Sequence, residues 1–247
     1  MRKRTALVTG ASSGIGRAIA LQLAKEDIEV CINFSKSEKQ AQEVKQDIEK
    51  EGGKAALYQA DITKEDQVKE MFNKLSSEFG ILDILVNNAG IYIPDFIETH
   101  NTENWKQVIE VNLYGKFFCT KYSLPLLKKS TSARIVNIAS RAAVRPIEES
   151  SAYCSAAAAV TMFTQVSALE LAQYNIRVNT VSPGLTKTPM TQEYDTDEDF
   201  ESYAKKNPSK RIGKPTDIAN IISFLISDKA DFINGENINV SGGILLI

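Results

Sequence analysis

The sequence predicts an α/β fold in which a parallel sheet of seven strands is covered by helices on both faces. Short apolar segments alternate with helical patterns along the whole chain, and most of these segments consist mainly of apolar residues. Continuous apolar strands are typical of a sheet that is buried on both sides. Strand–helix alternation favours right-handed crossovers between parallel strands, so we expect a single doubly wound domain over residues 1–247.

Seven short segments have the composition of strands, and six longer segments between them have helical patterns. The strand segments read TALVT (5–9), VCINF (30–34), AALYQ (55–59), ILVN (84–87), IVNIA (135–139), VNTVS (178–182) and NINV (237–240). The helical patterns cover residues 14–25, 38–51, 65–79, 103–127, 151–174 and 215–226. Pro215 suits the first position of the last helix, because an N–H group there would have no helical partner.

The segment 189–209 interrupts this alternation. It is rich in acidic residues and carries three aromatic side chains, Tyr194, Phe200 and Tyr203. A solvated loop with a short helix is one interpretation. A substrate lid is the interpretation we favour, because long insertions in compact domains are often functional.

Composition excludes several classes of protein. Lys and Arg number 29 against 31 Asp and Glu, which argues against a nucleic-acid-binding protein. No apolar run approaches 18 residues and no secretory h-region follows the basic N-terminus, so we expect neither a membrane protein nor secretion. Three dispersed cysteines fit a reducing, cytoplasmic location. A single histidine, His100, leaves neither a zinc site nor a serine-hydrolase triad, and we expect no metal.

A glycine-rich turn lies between the first strand and the first helix. Residues 9–16 read TGASSGIG. Glycines let a backbone approach a pyrophosphate closely, and the helix N-terminus offers unpaired N–H groups to it. The strand–turn–helix context therefore predicts the dinucleotide site of a Rossmann-type domain.

The end of the second strand bears on the choice of cofactor. In NAD-binding domains a carboxylate about twenty residues after the turn holds the ribose 2′-hydroxyl. Residues 33–36 read NFSK and contain no carboxylate. Ser35 and Lys36 could instead hold a 2′-phosphate, so we expect a preference for NADP(H), with NAD possible.

Further motifs occur in the order found in the short-chain dehydrogenase/reductase family, which the whole chain resembles. After the glycine-rich turn come an Asp-Ile pair, the run NNAG, a helix asparagine, a serine and tyrosine thirteen residues apart, and Pro-Gly. The C-terminal part, with the runs IGKP (212–215), NG (234–235) and SGG (241–243), is similar to 3-oxoacyl carrier-protein reductases and glucose dehydrogenases. The resemblance implies that the cofactor is held by Gly10, Ser12, Ser13, Gly14, Ile15, Gly16, Phe34, Ser35, Lys36, Asp61, Ile62, Asn88, Ala89, Gly90, Tyr153, Pro183, Gly184, Leu185, Thr186 and Thr188.

The resemblance also implies the chemistry, which is hydride transfer between nicotinamide and a ketone or secondary alcohol. In that scheme Tyr153 is the general acid or base, Ser140 orients the carbonyl oxygen, and Asn112 holds a water in a proton relay. A 3-oxoacyl thioester and a specialised-metabolite ketone are both candidate substrates. An acyl carrier protein is a possible partner, with Lys128 and Lys129 as docking charges.

The chain departs from the family at the centre of this chemistry. The family has a lysine four residues after the tyrosine, and this chain has Ala157 there. A lysine one helical turn away would lower the pKa of the tyrosine. The alanine therefore predicts a crippled enzyme, in which Ala157→Lys should raise turnover at least about a hundredfold.

Two explanations for Ala157 stand open. The chain is either a Lys-to-Ala variant of an active reductase or a natural member with lost or altered chemistry. Asn112, Ser140 and Tyr153 are all present, which favours the first explanation. A non-catalytic NADP-binding or scaffold protein is the alternative to an oxidoreductase.

Two further predictions concern a pair of arginines near Tyr153 and the apolar C-terminal residues. Arg141 and Arg145 lie between Ser140 and Tyr153, where an arginine could contact an anionic substrate or face solvent. The apolar tail 244–247 would be exposed in a monomer, and family members of this length usually form homotetramers.

Overall fold

The computed structural model describes residues 2–247, and these form an α/β domain around an all-parallel sheet. The seven strands lie in the order β3-β2-β1-β4-β5-β6-β7. The predicted fold class, with its seven parallel strands and its helices on both faces, is confirmed. The strands are β1 (Thr5–Val8), β2 (Glu29–Phe34), β3 (Ala55–Gln59), β4 (Ile84–Asn87), β5 (Ala133–Ile138), β6 (Ile176–Pro183) and β7 (Asn237–Val240).

The helices cover the sheet in two layers. They are α1 (Gly14–Lys25), α2 (Glu38–Lys50), α3 (Glu65–Phe79), α4 (Thr102–Ile109), α5 (Gly115–Leu127), α6 (Ser151–Leu171), α7 (Pro189–Gln192), α8 (Asp197–Lys206) and α9 (Pro215–Leu225). One hydrophobic core lies under α1, α2 and α9, and the other lies under α3, α5 and α6. Because both faces are covered, β1, β4, β5 and β6 are buried along their whole length.

The predicted single helix 103–127 is wrong in one respect. It is divided by a π-helical turn, Glu110–Tyr114, between α4 and α5. A π-turn accommodates one extra residue, and such turns are frequent at functional sites. The apolar pattern continues across this turn, so periodicity did not reveal it.

The carboxyl ends of all seven strands meet at one edge of the sheet. The strand order reverses between β1 and β4, and a crevice opens where the chain turns away on both sides. The Thr9 hydroxyl accepts hydrogen bonds from the backbone N–H groups of Asn88 and Ala89, at 2.9 and 3.0 Å. Asn88 Nδ2 in turn donates to the carbonyl oxygen of Thr9, at 2.9 Å. These bonds hold the turn after β1 and the turn after β4 in fixed positions on the two sides of the crevice.

The segment 189–209 contains two helices rather than one. Thr188 and Thr196 each form a capping box, at the starts of α7 and α8 respectively. The Phe200 side chain is buried, and Lys187 binds Asp197 at 2.7 Å. The segment is therefore an ordered wall at the carboxyl edge of the sheet.

Helix α6 and the short turn after it, Ser151–Tyr174, are long and apolar enough by length and composition to cross a membrane. We expected no segment of this kind. This is weak evidence for a membrane span, because α6 packs on β6 and buries one face, including Ala156, Val160 and Ala168, as the core helix of an α/β domain does.

Candidate active site

A cleft of about 1280 Å3 runs along the carboxyl edge of the sheet. Its walls come from the loops after β1, β2, β3, β4, β5 and β6, and from α6 and the segment 189–209. All of the residues predicted to bind the cofactor line this cleft except Gly16. Asn112, Ser140, Tyr153, Ala157 and Arg141 line it as well. The structure therefore brings the two halves of the predicted site together.

The glycine-rich turn is shaped for close approach. Gly10 has a φ of +60°, and a Cβ there would lie 2.9 Å from Cα of Ala89. A Cβ on Gly16 would lie 2.4 Å from the carbonyl oxygen of Gly10, so this glycine lets α1 pack tightly although it does not line the cleft. The N-cap residue of α1, Ser13, makes no side-chain capping bond. The first N–H groups of α1 are thus free for an anion, which fits a dinucleotide pyrophosphate.

Asn33 holds this turn in place rather than facing a ligand. Its buried amide donates to the carbonyl oxygens of Tyr58 and Ala60, and its Oδ1 accepts from the N–H of Gly10 at 3.3 Å. Ser35 and Lys36 follow it and are exposed at the end of the cleft. No carboxylate stands among residues 33–37. Ser35 and Lys36 are therefore candidates to hold a ribose 2′-phosphate, and the preference for NADP(H) stays a prediction.

The loop after β6 forms the opposite wall. A Cβ on Gly184 would lie 2.8 Å from Cα of Ser241, and Thr186 donates to the carbonyl oxygen of Gly184 at 3.0 Å. The Thr188 hydroxyl accepts from the N–H of Thr191 as the cap of α7. This loop and α7 are consequently held as one unit beside the glycine-rich turn.

Tyr153 lies in the first turn of α6, and its side chain is half-buried in the cleft. Burial raises the pKa of Tyr153, while hydrogen bonding from Ser140 and the positive charge of Arg141 oppose this rise. The Ser140 hydroxyl also accepts from the N–H of Ala142 at 3.2 Å, which fixes its orientation. The two side chains expected to contact a reacting oxygen are thus together.

Asn112 lies in the π-turn and is buried. Its Oδ1 accepts from the N–H of Ile91 at 2.9 Å, and its Nδ2 donates to the carbonyl oxygen of Ile91 at 2.8 Å. A Cβ on Gly90 would lie 2.7 Å from Asn112 Oδ1. The amide is therefore committed to the backbone after β4, and its part in a water relay stays a prediction.

Sequence reasoning missed Lys116, on the first turn of α5. Only 3% of this residue is exposed, it lines the cleft, and its Nζ donates to the carbonyl oxygen of Ala89 at 2.7 Å. Burial lowers the pKa of Lys116 to about 8. The sequence holds no clear signal for this burial, because a lysine in a helix is usually exposed.

Sequence reasoning also missed Tyr92, which lies between Tyr153 and Tyr194 of the predicted lid. The ring of Tyr92 lies 5.1 Å from that of Tyr153 and 5.3 Å from that of Tyr194, edge to face in both cases. The Tyr92 hydroxyl bonds to Ser150 at 2.9 Å. These rings form an aromatic wall between the tyrosine and the segment 189–209, at the end of the cleft away from the glycine-rich turn.

The structure places Arg141 and Arg145 in different surroundings. Arg141 lines the cleft and acts on Tyr153 through its charge. Arg145 is exposed outside the cleft and donates to the backbone carbonyl oxygens of Ile244 and Ile247. The structure thus ties Arg145 to the C-terminal tail and does not bring it to the predicted substrate site.

Comparison with known proteins identifies the class of protein that this fold and cleft define. Residues 10–245 match the family model described as enoyl-(acyl carrier protein) reductase. The 3-oxoacyl-(acyl-carrier-protein) reductase FabG of Staphylococcus epidermidis is 39% identical over 98% of this chain and 99% of its own length. The chain belongs to the short-chain dehydrogenase/reductase family of oxidoreductases.

Solved structures of the family have the same architecture. The aldohexose dehydrogenase of Thermoplasma acidophilum superposes with a TM-score of 0.90 at 32% identity, covering 100% of this chain and 95% of the other. A short-chain type dehydrogenase/reductase from Mycobacterium marinum gives 0.91 at 31% identity, covering 98% and 95%. The two solved structures thus share the backbone of this chain.

The lowered pKa of Lys116 generates a stability prediction. Lowering from 10.5 to about 8 means that the folded protein bears the cost of the buried ammonium below pH 8 and loses that cost as pH rises toward 10.5. That cost is roughly 3 kcal/mol, and leaving the Ala89 carbonyl without its donor offsets about 2 kcal/mol of it. We expect Lys116→Met to raise the free energy of unfolding near pH 7 by about 1 kcal/mol and to lower it near pH 10.

Thermal unfolding at several pH values measures this difference. Lys121→Met is the matched control, since Lys121 lies on the same helix but is exposed and paired with Glu65 at 2.8 Å. It should change stability little at any pH. Equal destabilisation by Lys116→Met at pH 7 and pH 10 would contradict the prediction.

Proposed function

We propose that the chain is an NADP(H)-dependent oxidoreductase that interconverts a small ketone and the corresponding secondary alcohol. The supporting observation is that Tyr153 and Ser140 share one cleft with the uncapped N-terminus of α1. When bound, the nicotinamide cofactor supplies or accepts the hydride. The protein's own part is to hold the dinucleotide along the strand ends and to handle the proton at the substrate oxygen.

Tyr153 and Ser140 have different roles at the substrate oxygen. In reduction, the Ser140 hydroxyl donates a hydrogen bond to the carbonyl oxygen, and Tyr153 gives it the proton that completes the alcohol. In oxidation, the deprotonated Tyr153 takes the proton back from the alcohol. The rise in the pKa of Tyr153 caused by burial favours the proton-donating form, so this arrangement suits reduction.

Tyr153→Phe tests whether the chain is an enzyme. We expect turnover of a ketone panel with NADPH to fall at least about a hundredfold, because the only candidate proton donor in the cleft at this position is removed. NADPH affinity, measured by fluorescence titration, should change little. Tyr174→Phe, at the other end of α6, is the control and should leave both quantities unchanged.

The alternative, a non-catalytic NADP-binding or scaffold protein, is favoured by Ala157. It predicts tight NADPH binding by the native chain, no turnover of any ketone or alcohol tested, and no difference between the native chain and Tyr153→Phe. That pattern would contradict the enzyme proposal.

Ser35 and Lys36 support the preference for NADP(H), and substituting the lysine tests it. Lys36→Ala should weaken NADPH binding about tenfold, because a charge-assisted hydrogen bond to a phosphate is lost, and should leave NADH binding unchanged. Lys39→Ala is the control, three residues further along in α2 and outside the cleft. Tighter binding of NADH than of NADPH by the native chain would refute the preference.

The substrate end of the cleft bears on the substrate class. Glu148, Glu149 and Asp195 line it together with the aromatic wall. Acidic side chains there oppose an anionic substrate, while the tyrosine rings suit a neutral ketone with apolar surface. This supports a specialised-metabolite ketone, while the 3-oxoacyl thioester rests on the names of the carrier-protein reductases to which the chain is similar.

Lys128 and Lys129 do not support docking of a carrier protein at the cleft. They follow α5 and precede β5, so they lie at the amino edge of the sheet, opposite the cleft. Lys128 sits over the ring of Tyr174 at 3.6 Å, and Lys129 donates to the carbonyl oxygen of Gly80. An acyl carrier protein would have to use another surface.

We also propose a reducing, cytoplasmic location, because all three cysteines are free.

The exposed apolar side chains support a homotetramer. Tyr114, Phe117, Met162, Val166 and Leu169 project from α5, α6 and the π-turn, and Phe232 and Leu246 from the C-terminal region. Contiguous exposed apolar surface marks an interface.

Light scattering should give a mass four times that of one chain. Leu169→Asp should reduce that mass, whereas Gln46→Asp on the exposed face of α2 should not; a monomeric native chain would refute the tetramer.

A further inference from the structure

Tyr92 connects three separate parts of the candidate active site. It stands two residues after Gly90, in the turn that follows β4, and it lines the cleft. The residue before it, Ile91, is bound by both ends of the Asn112 amide, at 2.9 and 2.8 Å. The backbone that carries Tyr92 is therefore fixed, and its side chain makes two further attachments, one through the hydroxyl and one through the ring.

The Tyr92 hydroxyl is bonded to the start of α6. Its oxygen lies 2.9 Å from Oγ of Ser150, the buried N-cap residue of that helix. Ser150 Oγ donates its own proton to the carbonyl oxygen of Glu148 at 3.0 Å, so the Tyr92 hydroxyl is the donor to Ser150. Burial raises the pKa of Tyr92, and the negative charges of Asp195 and Glu149 add to this rise, which keeps the donated proton in place at neutral pH.

A backbone bond holds the same two segments together. The N–H of Asp95 donates to the carbonyl oxygen of Glu149 at 2.7 Å, so residues 92–95 bind the residues before α6 at two points. Glu149 has a φ of +59°, in the left-handed region that residues other than glycine seldom occupy. Such a conformation persists where its surroundings hold it. The turn after β4 therefore helps to set where α6 begins.

The ring of Tyr92 packs between two other tyrosine rings. It lies 5.1 Å from the ring of Tyr153 at an interplanar angle of 74°, and 5.3 Å from that of Tyr194 at 84°. Edge-to-face pairs are favourable and directional, because the positive edge of one ring meets the negative face of the other. Tyr194 belongs to the segment 189–209, so this ordered wall supports the ring of Tyr153 through Tyr92.

The direction of the Tyr153 side chain depends on few contacts. Within residues 2–247, Ser140 interacts with its hydroxyl and Tyr92 is its aromatic neighbour. One turn further along α6, where the family has a lysine, Ala157 offers only a methyl group. Tyr92 is thus the side chain whose packing keeps the ring of Tyr153 beside Ser140.

We propose that Tyr92 is a positioning residue, whose ring holds Tyr153 toward Ser140 and whose hydroxyl holds the start of α6 against the turn after β4. It acts on the reaction only through Tyr153. A reacting group misplaced by about 1 Å can lose about a hundredfold in rate, so the support of one ring affects turnover. The inference rests on the proposed oxidoreductase function, but its effect on Tyr153 is measurable without turnover.

The first test asks whether Ser140 still acts on Tyr153 when Tyr92 is replaced. The pKa of Tyr153 is measured in the cofactor-free protein, from tyrosinate absorbance minus that of the matching Tyr153→Phe protein. In the native chain Ser140→Ala should raise this pKa by about 1, because the hydrogen bond that lowers it is lost. In the Tyr92→Leu chain the same substitution should change it by less than about 0.3, because the two side chains no longer meet.

Two further proteins serve as controls for this titration. Tyr92→Phe keeps the ring and should retain most of the effect of Ser140→Ala. Tyr122→Phe should retain all of it, since Tyr122 donates to Glu65 at 2.8 Å and lies outside the cleft.

The second test is ketone reduction with NADPH. Tyr92→Leu should lower kcat about thirtyfold, whereas NADPH affinity by fluorescence titration stays near native. Tyr92→Phe and Ser150→Ala should each lower kcat about threefold, because both lose the same hydrogen bond. Tyr122→Phe should leave both quantities unchanged.

Two outcomes would overturn the proposal. One is an equal effect of Ser140→Ala on the pKa of Tyr153 with and without Tyr92, which would make Tyr92 a purely structural residue of its turn. The other is a kcat for Tyr92→Leu within about threefold of native. If the native chain turns over no ketone, the oxidoreductase proposal fails, while the titration still decides whether Tyr92 positions Tyr153.

Discussion

The hydrogen bonds between Thr9 and Asn88 are the contact on which the rest of the site depends. They join the ends of β1 and β4, the two strands between which the sheet order reverses. With these ends fixed, the glycine-rich turn lies on one side and the turn 88–91 on the other. Asn112 and Lys116 then hold the second turn from below, through Ile91 and Ala89. A cleft at the strand ends follows from this short chain of bonds.

Most of the fold was predictable because its signals are local. Strands buried on both faces read as continuous apolar runs, and predicted and observed strand bounds agree within three residues at each end. The glycine-rich turn and the NNAG run are also local, since each is a single loop at a strand end. The cleft residues predicted from them lie together because parallel strands bring all their carboxyl ends to one edge.

What could not be predicted depends on contacts between distant segments. The burial of Lys116 requires that α5 pack against the backbone after β4, and a lysine in a helix is usually exposed. The aromatic wall joins Tyr92 and Tyr194, which are separated by some hundred residues. For Arg145 the sequence left open contact with a substrate or exposure to solvent, and the structure shows its side chain bound to the C-terminal tail. In each case the sequence showed which segment holds the residue, but it did not show which way the side chain points.

The π-turn at Glu110–Tyr114 has a consequence for how the chain can change in length. Loss of one residue there would restore a regular α-helix, and α5 would keep its facing toward the core because the π-turn already absorbs the extra residue. The change would fall on the turn itself, which carries Asn112, while Lys116 on α5 would keep its place. A single-codon deletion between α4 and α5 would therefore remove the support that Asn112 gives to the turn after β4 and leave the rest of the helix intact.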